Sequence, residues 1–359
     1  MINEKLSKKI LTLGTDKNGK GGIASVLKAY DEYVFAPFFF VRTHAEGSFC
    51  FKLIVLLKAF IKIPLYVLFR GVQIIHLHSA SYNCFRRKRI LVNYCLLFRV
   101  NIVFHIHGAE FYVFANKYGV EKIRKTFLKC KKVIVLSPEW EKLINEKIKF
   151  FNTVVVNNII PLPEKQQVEA NDDFVRILFL GAIGKRKGIF DLLGIMVDNK
   201  NHFHGKIKLV IGGNGEISKL TQYISDNQLE PIVEYVGWVS GERKKQLLNE
   251  CDVFVLPSYH EGLPISILEA MSYGKAIIST AVGGIPEIVK DEKNGYLITA
   301  GDTVALKRSI DRFIENKKLL NIFGNYSEQI VNNFLPDKVI LQLENIYNEI
   351  LDNKKRNVL

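Results

Sequence analysis

The chain has 359 residues, of which 48% are hydrophobic and 24% are charged. This composition supplies enough apolar material for two domain cores and excludes intrinsic disorder for most of the chain. The formal net charge of +14 is concentrated in one half: residues 1–160 carry 26 basic and 10 acidic side chains, and residues 161–359 carry 24 and 26. The amino-terminal half therefore favours a polyanionic partner, an anionic membrane surface or a phosphorylated ligand.

The predicted elements alternate along the chain between short apolar runs and longer segments with helical periodicity. The runs predict strands at residues 11–14, 74–77, 101–105, 133–136, 153–156, 176–180, 208–211 and 253–256. Repeated alternation of this kind predicts parallel sheets with helices on both faces. Ligands of such sheets bind at the carboxyl ends of the strands.

A polar segment with two prolines divides the predicted elements into two groups. Residues 161–173 predict a linker, which leaves an amino-terminal domain over residues 1–160 and a carboxyl-terminal domain over residues 174–336. Apolar residues at helical spacing predict a closing helix over residues 337–351, and we expect it to pack back on the first domain.

Cysteine usage and the start of the sequence indicate a reducing compartment. The five cysteines are odd in number and form no CxxC pair, so neither a disulfide framework nor a zinc site is indicated. The first residues are charged, so we expect no secretory signal and a cytoplasmic location. Residues 51–69 are apolar, but Lys58, Lys62 and Pro64 interrupt them, so no membrane span is predicted. This segment predicts either a core-packed helix or an interfacial helix on anionic lipid.

The most informative motif lies between residues 252 and 289. A buried strand ends at Leu256, a loop follows, and Pro264 predicts the first position of a helix. The free backbone amides of Gly262 and Leu263 would then form an anion site suited to a diphosphate.

Two glutamates flank this turn. Glu261 precedes the helix and Glu269 lies eight residues later, about 12 Å along an ideal helix axis. This separation exceeds that of hydrolytic carboxylate pairs, so the two side chains suit different parts of one extended ligand. Alone, such a pair would be read as a loop residue and a helix-surface residue.

The motifs Glu261-Gly-Leu-Pro and Glu269-Ala-Met, followed by Gly274-Lys-Ala-Ile-Ile-Ser-Thr, resemble the E-x7-E signature of retaining glycosyltransferases of family four. That family has the GT-B fold, an α/β architecture of two Rossmann-like domains with parallel sheets facing a central cleft. The resemblance implies that Glu261 contacts the donor sugar and that Glu269 binds the ribose. It also implies donor contacts for Gly262, Leu263 and Pro264.

A second motif, LFLGAIGKRKG, runs from a predicted strand into a basic loop. Lys187 and Arg186 could stabilise the charge on a departing diphosphate, although a run of this kind is often only a solvated loop. The family usually has an Arg directly after Gly181, where this chain has Ala182. Either Arg186 or Lys185 substitutes for that contact, or the donor phosphates are held less tightly.

Several smaller features support the same site. Gly213 follows a strand and suits a tight turn near the ligand. Trp238 lies, by resemblance, beside the nucleotide base, with core packing as the alternative. Gly21 and Gly22 precede a helix and would bring amides to a phosphate or a reacting hydroxyl, or would form a plain turn. His107 resembles the family's His-Gly at the reaction centre.

The other histidines of the first half predict no metal site. His105, His76 and His78 occur in FHIH and IHLH patterns, and no third ligand with suitable spacing is evident. We therefore expect no metal and no cofactor beyond the nucleotide-sugar donor, with UDP- or GDP-sugar as the candidates.

By resemblance, the acceptor binds the basic amino-terminal domain. A lipid-linked acceptor carries phosphates and lies at an anionic leaflet, which attracts Lys and Arg. The candidate acceptor and membrane residues, which could equally form a solvated face, are Arg86, Arg87, Lys88, Arg89, Lys58 and Lys62.

The sequence therefore predicts a retaining, metal-independent glycosyltransferase for cell-surface polysaccharide or lipopolysaccharide, located peripherally on the inner face of the cell membrane. It would move a sugar from a nucleotide diphosphate to a lipid-linked saccharide. One alternative is a nucleotide-sugar epimerase of the same architecture. Another is a non-enzymatic basic protein that binds nucleic acid or membrane, but the chain has no nucleic-acid recognition motif, and we expect no nucleic-acid partner.

Overall fold

The computed structural model describes residues 1–164 and 174–356, so most of the predicted linker at 161–173 lies outside the described residues. The chain divides into two compact units. Unit 1 contains residues 1–159 and the carboxyl-terminal segment from Phe334, and unit 2 contains residues 160–333.

Unit 1 is built on a six-stranded sheet in which all neighbouring strands are parallel. The strand order is β2-β1-β3-β4-β5-β6. All residues of β3 and β4 are buried, as expected for a sheet covered on both faces. The strands are β1 (Ile10–Thr15), β2 (Phe40–His44), β3 (Ile74–Ser79), β4 (Asn101–Ile106), β5 (Lys132–Val135) and β6 (Thr153–Val155).

Helices connect these parallel strands, since a parallel pair needs a crossover. The helices of unit 1 are α1 (Glu4–Ser7), α2 (Gly22–Ala29), α3 (Phe49–Phe69), α4 (Tyr82–Leu96), α5 (Phe111–Tyr118), α6 (Val120–Phe127), α7 (Pro138–Leu143) and, from the end of the chain, α16 (Pro336–Arg356). Two π-helical turns, Tyr30–Val34 and Ile144–Ile148, extend α2 and α7.

Unit 2 repeats this architecture with a second parallel sheet. Its strand order is β12-β11-β10-β7-β8-β9. The strands are β7 (Val175–Leu180), β8 (Ile207–Gly212), β9 (Val233–Tyr235), β10 (Val253–Leu256), β11 (Ala276–Thr280) and β12 (Gly295–Ile298). The helices are α8 (Ile189–Asp198), α9 (Lys200–Phe203), α10 (Ile217–Asp226), α11 (Gly241–Glu250), α12 (Ile265–Ser272), α13 (Ile285–Ile288), α14 (Thr303–Glu315) and α15 (Lys318–Val331).

These two sheets confirm the predicted α/β class with two Rossmann-like domains. Every predicted strand is present, with ends that differ by at most two residues. Four further strands, β2, β9, β11 and β12, are not among the predictions, and β2 and β9 each carry a charged residue within the strand. In β2, for example, Arg42 is exposed and forms an ion pair with Asp16 at 2.6 Å.

The carboxyl-terminal helix α16 packs within unit 1. Its Tyr347 is fully buried, and the phenol oxygen lies 2.7 Å from Nδ1 of His76 on β3. At the surface, Glu349 forms an ion pair with Lys132 on β5 at 3.0 Å. The last helix of the chain therefore contributes to the core of the first unit.

Helix α3 has one buried face and one exposed apolar face. Val55, Ala59 and Ile63 are buried against unit 1. The exposed face carries large apolar side chains at helical spacing, namely Ile54, Leu57, Ile61, Leu65 and Leu68. Among the helices of residues 1–164 and 174–356, none combines the length and apolarity that a membrane crossing requires.

Removing the Tyr347 hydroxyl tests the attachment of α16. Because Tyr347→Phe leaves a buried His76 nitrogen without its partner, we expect the free energy of unfolding of unit 1 to fall by about 1–3 kcal/mol. A Trp238→Phe background leaves Trp140 of unit 1 as the single fluorescent reporter in a urea titration. The exposed Tyr112 provides the matched control, Tyr112→Phe, which should change this free energy by less than about 0.5 kcal/mol. Equal stabilities for the two variants would contradict the prediction.

Candidate functional site

The predicted anion-binding turn lies between β10 and α12 in unit 2. Strand β10 ends at Leu256, as predicted, but α12 begins at Ile265, one residue later than expected. Pro264 has an extended ψ of 117° and is the N-cap, so its assignment to the first helical position is wrong. The residues of the turn, Glu261 to Pro264, are all buried.

Glu261 is a buried carboxylate that is held by cationic and hydroxyl groups. Its side chain is 6% exposed, and Oε1 accepts hydrogen bonds from Lys187 Nζ and, at 2.7 Å, from Ser258 Oγ. Nη1 of Arg186 lies 4.0 Å from Oε2. The structure thus brings together three residues that the sequence analysis assigned to the site from two separate motifs.

Lys187 and Arg186 belong to a 3₁₀ turn, Lys185–Lys187, that follows β7. Burial lowers the pKa of Lys187, while the ion pair with Glu261 acts in the opposite direction. Arg186 is anchored to the other loop, since its Nη1 donates to the His260 carbonyl at 3.0 Å and its own carbonyl accepts from the Tyr259 amide at 2.8 Å. The loops after β7 and β10 are therefore joined by hydrogen bonds to backbone carbonyls as well as by the ion pair.

Two glycines allow this close approach. A Cβ at Gly188 would lie 2.0 Å from the carbonyl oxygen of Pro257, and a Cβ at Gly283 would lie 2.0 Å from that of Glu261. Both have positive φ, which favours glycine. Ser258, Gly188 and Gly283 are not among the predicted site residues, because their roles follow from a loop approach that sequence spacing does not reveal.

Glu269 lies on α12 and is paired with a residue that the sequence analysis missed. Its carboxylate accepts a hydrogen bond from Lys244 on α11, and both side chains are about one quarter exposed (23% and 28%). No sequence pattern connects these two positions, which are 25 residues apart. Both side chains are more exposed than that of Glu261.

The glycine-rich end of the sheet places three predicted residues near one another. The Gly213 amide donates to the Gly237 carbonyl at 2.8 Å, and the Gly181 amide donates to the Gly212 carbonyl at 3.1 Å. Trp238 follows Gly237 directly and is 42% exposed, so the alternative that it is a core residue is wrong.

In unit 1, Gly21 and Gly22 line a cavity of about 280 Å³ at the start of α2, together with Arg87 and Lys88 of α4. Lys88 is only 1% exposed, so its assignment to an exposed docking patch is wrong. It lies on the buried face of α4, which also carries Phe85, Val92 and Cys95.

The other predicted acceptor and membrane residues are at or near the surface. Arg86 and Arg89 lie over the ring of Tyr118, at 5.5 and 6.0 Å from its centroid. Lys58 and Lys62 are exposed on α3. Within the basic run, Arg86 and Arg89 therefore contact the ring of Tyr118, whereas Arg87 and Lys88 line the cavity.

A cluster of four histidines lies on β3 and β4 and at the residue after β4. Nε2 of His76 lies 3.2 Å from Nδ1 of His105, and Nδ1 of His78 lies 2.9 Å from Nε2 of His107. His78 lies opposite His105 in the strand register, and each hydrogen-bonded pair joins a β3 histidine to the residue two positions beyond the one opposite it. His78 therefore contacts the ring that resembles the family's reaction-centre histidine.

Three of these histidines could hold a metal ion together. One nitrogen from each of His76, His78 and His105 lies within 4.8 Å of the others, so the tertiary structure supplies the third ligand that spacing does not reveal. The prediction that no third ligand is present is therefore wrong, and the absence of a metal stays a prediction.

Burial keeps the histidine rings neutral. It lowers the pKa of His76 and of His107 to about 3, and that of His78 and His105 well below the ordinary value of 6.5. Nε2 of His78 and Nε2 of His105 are buried and have no hydrogen-bond partner. Protonation of any one ring would place an uncompensated charge in the core.

Comparisons with known proteins agree with this architecture. The family described as glycosyl transferases group 1 matches residues 163–330, which include most of unit 2. An uncharacterized glycosyltransferase of Methanocaldococcus jannaschii is 26% identical over 288 residues, or 79% of this chain and 77% of that protein. Two others from the same organism are covered over only 49% and 47% of their length.

One further relative and one solved structure add detail. The UDP-Gal:alpha-D-GlcNAc-diphosphoundecaprenol alpha-1,3-galactosyltransferase of Escherichia coli is 33% identical over 147 residues, which are 40% of this chain and 38% of that protein. Sucrose-phosphate synthase from Thermosynechococcus elongatus superposes with a TM-score of 0.78 over 96% of this chain and 99% of its own, at 19% identity. These findings identify the fold as GT-B and support a glycosyltransferase.

The neutral histidine cluster predicts that unit 1 loses stability in mild acid. Unfolded histidines take up protons near pH 6.5, whereas the buried rings do so only at much lower pH, so the unfolded state binds more protons as the pH falls. We expect the free energy of unfolding to fall by at least about 1 kcal/mol per pH unit between pH 6.5 and 5. Urea titrations read by Trp140 measure this, and His105→Gln should give a shallower decline. A flat profile in the parent protein would contradict the prediction.

Proposed function

We propose that this chain is a retaining glycosyltransferase of family four that moves a sugar from a nucleotide diphosphate to an acceptor hydroxyl. The observation that carries the proposal is the buried Glu261–Lys187 ion pair beside the start of α12. A buried pair of this kind contributes little to stability, because desolvation offsets the attraction, so a role in ligand binding accounts for it better. It lies in the part of the chain that the glycosyl transferase family matches.

In this proposal, Glu261 and the following backbone bind the donor sugar and the diphosphate. The bond between the anomeric carbon and the diphosphate oxygen breaks, and the acceptor oxygen forms its bond to the same face of that carbon. The acceptor proton passes to the departing diphosphate. Lys187 and Arg186 stabilise the negative charge that develops on the leaving group. Leu263 and Pro264 complete the turn, and Gly262 supplies an amide.

Fixed cations take the part that a metal ion plays in other transferases, so we propose a metal-independent reaction. Arg186 is the better candidate than Lys185 to replace the arginine missing at Ala182. Its side chain already lies 4.0 Å from Glu261, whereas Lys185 is exposed.

Glu269 is proposed to bind the ribose hydroxyls of the donor. A carboxylate accepts such hydrogen bonds strongly, and Glu269 is partly exposed beside Lys244. Gly181, Gly213 and the exposed Trp238 would border the base, where an indole ring can stack. A UDP-sugar or a GDP-sugar is the proposed donor. The first is favoured by the name of the galactosyltransferase relative, which specifies UDP-Gal.

His107 is proposed to contact the donor sugar, and Gly21 and Gly22 to approach its phosphates or the reacting hydroxyl. The neutral state of His107 suits hydrogen bonding to a sugar hydroxyl, because a neutral imidazole both donates and accepts. The hydrogen bond between His78 and His107 uses Nε2 of His107, which leaves Nδ1 as the nitrogen available to a ligand.

The proposed acceptor is a lipid-linked saccharide for cell-surface polysaccharide or lipopolysaccharide, reached from the inner face of the membrane. The galactosyltransferase relative has a diphosphoundecaprenol-linked acceptor in its name. The exposed apolar face of α3, with Lys58 and Lys62 on the same helix, suits an anionic lipid surface. Arg86 and Arg89 would add to this attraction.

Kinetic variants test the donor site. We expect Lys187→Met to lower kcat about 100-fold, since it removes charge that acts on the departing diphosphate. Glu269→Gln should raise the donor KM about tenfold with a smaller change in kcat, since it weakens hydrogen bonds that form in the ground state.

Transfer of radiolabelled sugar from UDP- and GDP-sugars to lipid-linked saccharides measures both effects, and thermal unfolding shows that each variant is folded. The exposed Lys206 supplies the control variant, Lys206→Met, which should match the parent protein. Wild-type kinetics in Lys187→Met and Glu269→Gln would contradict the site assignment, and interconversion of free nucleotide sugars without transfer would favour an epimerase.

Vesicle flotation tests the membrane proposal. On vesicles with phosphatidylserine, the double variant Ile61→Glu, Leu65→Glu should weaken partitioning by at least about tenfold, because two apolar side chains no longer enter the bilayer interface. Leu341→Glu changes an exposed leucine on α16 and should float like the parent protein. Equal recovery of all three proteins would contradict a role for α3.

A further inference from the structure

The cavity of unit 1 lies where three elements of the Rossmann-like sheet end or begin. Thr15 ends β1, Thr43 lies at the end of β2, and Gly21 and Gly22 begin α2. Its volume of about 280 Å³ is at the lower limit of small-molecule pockets. The cavity is large enough for a phosphate or a diphosphate and too small to enclose a whole lipid-linked saccharide.

The lining of this cavity is cationic. Lys20, Arg87 and Lys88 contribute positive side chains, and no acidic residue is present among the described residues that line it. His44 also lines it, and its pKa is lowered first by burial and then by Arg87 and other neighbouring cations. The cavity therefore has a positive potential that an anion would offset.

Lys88 is the residue that points most directly to an anionic ligand. Its ammonium is buried, and its two hydrogen-bond acceptors are the Leu13 carbonyl at 3.1 Å and Thr43 Oγ1 at 2.7 Å, both of them neutral. An ammonium has three donors, so one remains for a ligand. A buried charge without a counter-charge is costly, and burial accordingly lowers the pKa of Lys88 to about 8.

Arg87 and the glycine loop complete the wall of the cavity. The Nε atom of Arg87 is buried and has no hydrogen-bond partner. A Cβ at Gly21 or at Gly22 would meet nothing within 4 Å, so the space in front of the first turn of α2 is open to a ligand. The amides there would add hydrogen bonds to the same anion.

We infer that this cavity is a phosphate-binding site and that it holds the diphosphate of an anionic acceptor. The second part rests on the proposed function, and it assigns the amides of Gly21 and Gly22 to the acceptor phosphates in place of the donor phosphates. This assignment follows from the two separate sets of cations. In the proposed function, Lys187 and Arg186 of unit 2 bind the donor diphosphate. The cations of unit 1 are therefore available for the phosphates of the acceptor. The site would select acceptors that carry phosphates, whatever saccharide is attached to them.

Pyrophosphate binding tests the cavity without any reaction. Calorimetric titrations use a Lys187→Met background, which weakens the cation site of unit 2. We expect Arg87→Gln and Lys88→Met each to raise the pyrophosphate Kd about tenfold or more, as for the loss of a hydrogen bond to a charged group. The exposed Lys28 of α2 supplies the matched control, Lys28→Gln, which should leave the Kd within about twofold.

Stability measurements separate loss of the site from loss of the fold. Lys88→Met removes an uncompensated buried charge, so it should leave the thermal midpoint without pyrophosphate unchanged or raised. Arg87→Gln provides a second variant whose side chain is only partly buried. Unaltered pyrophosphate affinity in both folded variants would overturn the phosphate site.

Two acceptors test which substrate supplies the phosphate. A short-chain alkyl diphosphate-linked sugar should show an acceptor KM raised about tenfold in Arg87→Gln, whereas the matching alkyl glycoside without phosphates should show no change. Equal effects on both acceptors, or a rise confined to the donor KM, would overturn the acceptor assignment. Absence of transfer by the parent protein would instead contradict the proposed function, and the pyrophosphate titrations would still decide the cavity.

Discussion

The buried ion pair between Glu261 and Lys187 holds together the two loops that form the candidate site of unit 2. A carboxylate that is 6% exposed requires a cation and further hydrogen bonds, and Lys187, Ser258 and the nearby Arg186 supply them. The pair joins the loops after β7 and β10, which are neighbours in the sheet. Parallel strands present their carboxyl ends at one edge, so the fold brings together two loops that are 74 residues apart in sequence.

The two units treat buried polar groups in opposite ways. Unit 2 compensates its buried carboxylate with cations, whereas unit 1 buries Lys88 against neutral oxygens and holds four neutral histidines, of which His76, His78 and His105 are fully buried. An uncompensated ammonium favours the arrival of an anion, and neutral rings favour hydrogen bonding to one another. Part of the excess positive charge of the amino-terminal half thus lies in the cavity at the start of α2, and part lies on the surface of α4.

Much of the fold and part of the site could be predicted because they depend on local pattern. Continuous apolar runs such as that of β10 are dictated by burial on both faces, and the strand, turn and helix around Glu261 follow from proline and glycine positions. Patterns with exposed residues, as in β2, are weaker signals. The burial of Lys88 could not be predicted, because a basic run is ordinarily solvated and only packing of α4 on the sheet decides which of its members faces inward.

The sequence by itself determined the alternation of strands and helices, the asymmetry of charge and the pairing of glutamate and lysine motifs as candidates for one site. These are properties of residue type and spacing, which operate over a few turns of chain. The tertiary structure alone decided that Glu269 meets Lys244, that three histidine nitrogens lie within 4.8 Å, and that Arg87 and Lys88 line one cavity. Such contacts depend on strand order and register, which no short-range pattern specifies.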